Sequence, residues 1–178
     1  PLSDQAYYYS SLGNCYYYQE RYEPAKRAFW QAVTLNRQTD QPMNELISYC
    51  NLAEVYLMQD SLRRAEQMLA RYDSLLPSVR TQLSEQLLFN AMSLKADLHI
   101  ARGEIDKAMP VLRMNADSIL HDMPRALMFH YRRLARYAKQ HERWKLATEM
   151  QEKSSHYANA LSSEQNRSMV QELSQRFT

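Results

Sequence analysis

Residues 9–32 read YSSLGNCYYYQERYEPAKRAFWQA, and residues 49–72 read YCNLAEVYLMQDSLRRAEQMLARY. Laid over one another, Tyr9, Leu12, Gly13 and Tyr16 fall on Tyr49, Leu52, Ala53 and Tyr56. Ala25, Phe29 and Ala32 then fall on Ala65, Leu69 and Tyr72. A third copy, MSLKADLHIARGEIDKAMPVLRMN at 92–115, supplies Met92, Ala96 and His99, then Ala108 and Leu112. A fourth, YRRLARYAKQHERWKLATEM at 131–150, supplies Tyr131, Leu134, Ala135 and Ala138, then Ala147. The first half of each copy has the i, i+3, i+4, i+7 spacing of one helix face. A polar break follows (QERY, QDSL, RGEI, QHER), and the second half opens with an Ala twelve residues after the small residue of the first. Facing small residues, Gly13 with Ala25, Ala53 with Ala65, Ala96 with Ala108 and Ala135 with Ala147, let two antiparallel helices approach closely.

The pattern predicts an all-α fold, an α-solenoid of about four helical hairpins near 3–38, 43–76, 80–120 and 124–161. A one-sided tail, with Met169, Val170, Leu173 and Phe177 on one face, is expected as a C-terminal capping or linking helix over 162–178. The whole chain, 1–178, reads as a single domain. Pro24 suits the first turn of a second helix, where its missing N–H costs nothing. Pro110 sits deeper and delays or bends its helix; Pro77 and Pro124 are expected between repeats.

Composition agrees with helices. The chain has two glycines, Gly13 and Gly103, too few to write a phosphate-binding loop or a dinucleotide fingerprint. Its net charge of +2 gives no general affinity for nucleic acid or an acidic membrane. No apolar run approaches the roughly 18 residues that span a bilayer, and no signal peptide is expected within residues 1–178. Cys15 and Cys50 are read as buried thiols, although two cysteines leave a pairing arithmetically open. The chain opens on Pro1 rather than Met, which reads as a segment of something longer.

The four copies resemble the tetratricopeptide repeat family over about residues 6 to 160. An aromatic, a Leu-Gly or Leu-Ala pair, a Tyr, then Ala, a bulky apolar residue and Ala form its pattern, nearly complete in the first copy. Three departures stand out. Ala25, Ala65, Ala108 and Ala147 are 40, 43 and 39 residues apart, against about 34 in the family. Lys95 replaces the expected Leu of the third copy, and the first copy lacks the closing Pro.

The resemblance implies that the first helix of each pair lines a concave groove. The stripe it picks out carries Tyr7, Ser10, Asn14 and Tyr17 in the first copy. The second has Ile47, Cys50, Glu54 and Leu57 with Asn51 beside them, the third Asn90, Ser93, Asp97 and Ile100, and the fourth Phe129, Arg132, Arg136 and Lys139. Asn14 and Asn51 match the family's two Asn places for gripping a peptide C-terminus. Ser10, Asn90 and Leu94 stand where its basic residues belong, so a carboxylate clamp is not supported. The two amides remain able to bond an extended peptide's backbone; an inter-helix bond or plain solvation is the other reading.

Of the tyrosines at residues 7–22, Tyr9, Tyr16 and Tyr22 are expected in the core, Tyr7 and Tyr17 on the inward stripe. Residues 131–145 hold six formal positives, with a seventh if His141 is protonated, against Glu142. Tyr131 belongs to the seam and Trp144 to the hairpin turn as a packing residue, which weakens a nucleic-acid reading. Arg132, Arg136 and Lys139 share a face that fits either a small anionic patch on a partner or simple solvation.

No HExxH, Cys-His ligand set or nucleophile elbow is written, and His99 falls on the seam as a hydrogen-bonded core imidazole. The expectation is a non-catalytic module that recognises a protein segment or another domain of its own chain, with no cofactor, no metal and no nucleic acid. More loosely, repeats leading to a one-sided helix resemble the sensor regions of bacterial membrane-bound regulators, which implies an extracytoplasmic location. A free-standing cytoplasmic scaffold or adaptor is the alternative.

Overall fold

The computed structural model describes the backbone of residues 1–112, 114, 116–120 and 123–176, with side chains to residue 164 apart from 105. Among these residues the secondary structure is helical throughout. In chain order it comprises α1 (Leu2–Tyr18), α2 (Tyr22–Gln38), α3 (Pro42–Met58), α4 (Leu62–Val79), a 3-10 turn at Arg80–Gln82, α5 (Glu85–Ala101), α6 (Ile105–Leu112), α7 (Ala116–Ile119), α8 (Pro124–Gln140) and α9 (Trp144–Arg176). The chain forms two compact units, Pro1–Val111 and Leu112–Thr178. The fold is the predicted all-α helical repeat.

The polar breaks work as one kind of turn. After α1, α2, α3, α5 and α8 a single residue takes the left-handed conformation: Glu20 (φ 59°), Asp40 (52°), Asp60 (55°), Gly103 (76°) and Glu142 (56°). The next amide then reaches back five residues to the helix end. Arg21 N–H donates to Tyr16 O at 2.9 Å, Gln41 to Asn36 at 2.8 Å, Ser61 to Tyr56 at 2.9 Å, Glu104 to His99 at 2.8 Å and Arg143 to Ala138 at 2.8 Å. This closure satisfies carbonyls that a helix end would leave orphaned. Only one of the five places carries the Gly that such a conformation favours.

Close helix approach sets the core. An ideal Cβ at Gly13 would lie 2.6 Å from Phe29 Cε1, so the Phe29 ring of α2 occupies the volume that any side chain on α1 would need. Ala25, Ala32, Ala53, Ala65 and Ala108 are fully buried at the matching seam places. Neighbouring pairs in the first unit are tied by polar contacts laid over apolar ones. Arg37 on α2 donates to Glu45 (2.7 Å) and to the Tyr49 hydroxyl (2.5 Å) on α3. Trp30 stands edge-on to Tyr49 and donates to the Tyr56 hydroxyl at 3.4 Å. On the next boundary Lys95 of α5 pairs with Asp73 of α4 at 2.5 Å. Its ammonium lies 5.8 Å from the Tyr72 ring centre, which accounts for a Lys where the repeat expects Leu.

Three boundaries differ from the sequence reading. Pro77 lies inside the last turns of α4 rather than between repeats. The second helix of the third copy ends at Leu112, two residues past Pro110, and α7 is a separate single turn. The tail expected as its own helix over 162–178 is continuous with the fourth copy's second helix, giving 33 residues without a break. Nothing between Trp144 and Arg176 can interrupt it, since that stretch has neither Gly nor Pro. The face of Met169, Val170, Leu173 and Phe177 lies outside the described side chains.

Gly13→Leu is expected to cost about 2 kcal/mol, because overpacking against Phe29 exceeds the gain from removing Gly from a helix. Thermal melts of Gly13→Leu, Phe29→Ala and the double variant check this. Strong non-additivity is the expected result, and additive losses would mean that the two residues do not share the space.

Candidate functional site

The predicted stripe meets three different fates. On α1, Tyr7 and Asn14 are exposed and Ser10 is half-buried. Tyr17 is buried, and its hydroxyl donates to Glu54 Oε1 on α3 at 3.0 Å. On α3, Asn51, Glu54 and Leu57 are half-buried, while Cys50 is buried with its sulfur 3.7 Å from the Asn90 amide of α5. On α5, Asn90 is half-buried and Asp97 buried. Tyr17 and Asp97 are therefore corrected from groove surface to packing positions. For Tyr17 the physical reason is register: one step around the helix from the seam still faces α3 of the following pair. Tyr9 and Tyr16, expected in the core, are only half-buried, and Cys15 is exposed rather than buried. Neither cysteine forms a disulfide.

The second unit is different. Arg132, Arg136 and Lys139 are all exposed on α8 at i, i+4 and i+7. They line a cavity of about 550 Å³ together with Ala135, Trp144, Ala147, Thr148, Gln151 and Glu152. The helical spacing puts the three cations in one row along about 10 Å of α8. Among the described residues none of the three forms an ion pair, and Arg132 lies over the Phe129 ring at 5.4 Å. Glu152 is the single carboxylate of the lining. Trp144, expected as a packing residue, is 60% exposed at the rim. The floor is small and apolar, the wall cationic and the rim aromatic.

The opposite side of α8 is closed. His130 is buried, its ring edge-on to Tyr131 at 5.5 Å. Burial first, then the Arg133 charge, push its imidazole down to about 4, against a smaller pull upward from Asp117. The Tyr131 hydroxyl donates to Asp117 on α7, and Tyr157 of α9 donates to the other oxygen at 3.0 Å. The Tyr131 bond foremost, with the Tyr157 bond and the Lys153 charge, holds the Asp117 carboxyl below the ordinary carboxylate range. The Tyr131 and Tyr157 rings stack at 6.0 Å with 3° between planes. This cluster fastens α7 to the α8–α9 pair. His99, read as a core imidazole, is hydrogen-bonded to Glu104 at 2.8 Å but remains part-exposed.

Among the described residues no group of three or more His, Cys, Asp or Glu could hold a metal ion, and no helix is long and apolar enough to cross a membrane.

The likeness to solved structures is one of fold. The crystal structure of BtubC (BKLC) from P. vanneervenii matches 88% of this chain with a TM-score of 0.57 at 15% identity. This chain spans 64% of that one. No family model matches the sequence, and no curated protein matches it.

The sequence reading found the α8 half of the cavity and missed the α9 half. Thr148, Gln151 and Glu152 lie on a second helix, and only first helices had been read as surface. The signal was present in Trp144, a large ring at a turn place held elsewhere by Tyr22, Leu62 and Ile105.

Because the folded protein keeps His130 neutral well below its ordinary value, its contribution is complete above about pH 6.5. It is lost as pH falls toward 4, where the unfolded chain takes up a proton that the folded one refuses. A shift of this size corresponds to about 3 kcal/mol. Urea unfolding at pH 7.5 and 4.5 should show wild type losing most of that amount beyond the loss in His130→Gln. Parallel losses in the two proteins would contradict a buried neutral imidazole.

Proposed function

We propose that this chain is a non-catalytic helical-repeat module that recognises an acidic segment of a protein through the cavity between α8 and α9. The observation that carries the reading is the row of Arg132, Arg136 and Lys139, exposed and unpaired among the described residues, beside an exposed Trp144. Three cations on one helix face repel one another, and a partner's carboxylates relieve that repulsion. Arg offers planar forks to carboxylates, and Trp adds rigid apolar area, two features enriched where binding energy concentrates. Steering by the row acts chiefly on association rate and weakens with salt. The charge is local, since the chain as a whole carries only +2, so a protein patch fits better than a long polyanion.

The repeat register, with its tetratricopeptide-like spacing, supports a place in a larger regulatory protein, of the kind in which a bacterial sensor segment precedes an output domain. The unbroken course of α9 favours this over a free-standing adaptor. Its first two turns line the cavity, and the same rigid rod continues for more than twenty residues beyond Glu152. A partner seated at Trp144 and Thr148 bears directly on that rod, so occupancy and the position of its far end are coupled without an intervening hinge.

Panning a random peptide library on the protein tests the recognition. Wild type should enrich sequences of net negative charge, and an Arg132→Glu/Arg136→Glu bait should lose that bias. Enrichment indifferent to charge, or unchanged on the variant, contradicts the reading.

A further inference from the structure

We infer that the occupant of the α8–α9 cavity is a partner helix with carboxylates along one face, seated where a following helix pair would lie. The inference rests on the recognition reading above and deepens it.

The register supplies the first observation. Arg132, Arg136 and Lys139 hold the places of Ser10, Asn14 and Tyr17 in the first copy and of Cys50, Glu54 and Leu57 in the second. In the first unit the places of Lys139 and Arg132 meet the following pair, while Glu54, at the place of Arg136, accepts from Tyr17 of the preceding α1. Tyr17 reaches forward to Glu54, and Cys50 meets the Asn90 amide. The second helices agree. Thr148 holds the place of Glu66, which takes a two-pronged bond from Arg102 at the end of α5, 2.7 Å on each oxygen. Glu152 holds the place of Trp30, which meets Tyr49 and Tyr56 of α3. All four equivalents look toward a successor.

The other side of α8 confirms the orientation inside the second unit. Tyr131 holds the place of Tyr49, which meets the preceding α2 through Arg37 and Trp30. Tyr131 likewise meets an element that precedes it, Asp117 on α7. The backward face of α8 is thus occupied, and its forward face is the cavity. No following pair covers it among the described residues, because α9 runs straight on to Arg176.

Charge says what fits there. Within the first unit the forward faces are met by Glu54, by the Asn90 amide and by Arg102. The charged lining of the cavity is three cations against Glu152 alone, so the incoming face must be acidic. Spacing says what shape fits. Cations at i, i+4 and i+7 match a neighbouring helix whose carboxylates recur every three or four residues. An apolar side chain between them falls on the Ala135 and Ala147 floor. The seat accepts a helix's row of side chains in the way that pairs accept each other.

The test uses synthetic peptides of about 20 residues, labelled for fluorescence anisotropy, with the full chain at about 50 mM salt. One is a stapled helix with Glu recurring on one face and Leu beside it. The second has the same residues with two central prolines, and the third has Lys in place of Glu. The stapled acidic helix should bind, with the proline peptide at least about 10-fold weaker and the Lys peptide not binding. Arg132→Glu/Arg136→Glu should weaken the acidic helix by at least about 10-fold while its melt stays at the wild-type value, both side chains being exposed. Equal binding of helical and proline peptides overturns the helix inference and leaves acidic recognition standing. Binding unchanged by the two substitutions, or absent for both acidic peptides, overturns both. Self-association abolished by the same substitutions would seat a second copy in the cavity and overturn the proposed partner.

Discussion

A helix pair of this kind has two sides to bury, and it can hand one of them only to a neighbour. That constraint organises the structure. The contact that makes a pair is the close approach of two helices at small residues. At Gly13 the Phe29 ring fills the space of the missing Cβ. Once helices sit that close, the residues one step around from the seam are brought within reach of the adjoining pair. Tyr17 with Glu54 and Cys50 with Asn90 follow from that approach rather than from any separate design.

The same constraint explains why the fourth pair differs. The identical register on α8 carries Arg132, Arg136 and Lys139, charges that a buried face would hold only at great cost without partners. Instead they line a cavity with an exposed Trp at its rim. The polarity of α8 is thereby divided. One side is closed by the buried His130 and the Tyr131–Asp117–Tyr157 contacts, and the other is open and cationic. An uncovered face in a helical array needs either a polar cap or a partner. The cluster of unmatched charge over an apolar floor favours the partner.

Much of this was written in the spacing. The i, i+3, i+4, i+7 face and the twelve-residue interval between small residues placed the seams, because close helix approach tolerates few side chains. Arg132, Arg136 and Lys139 were legible as one face for the same reason. What spacing could not give was which neighbours exist. Tyr17 has a surface-like position by periodicity and is buried because α3 lies over it. Trp144 has a core-like position and is exposed, since no helix among the described residues lies over it. The tail is surplus to the fourth copy, which suggests a separate helix, but no Gly or Pro stands near residue 162 to end α9. The Asp117 cluster depended on a four-residue helix that no periodic signal marks.

Recognition at α8–α9 requires a cavity that is open and electropositive at Trp144. Fluorescence quenching in a Trp30→Phe background, where Trp144 is the single indole, measures both properties at once. Iodide should quench Trp144 several-fold more effectively than caesium at low ionic strength, and Arg132→Glu/Arg136→Glu should erase that preference. An indole shielded from both ions, or quenched equally by them in the wild-type row, would contradict the account.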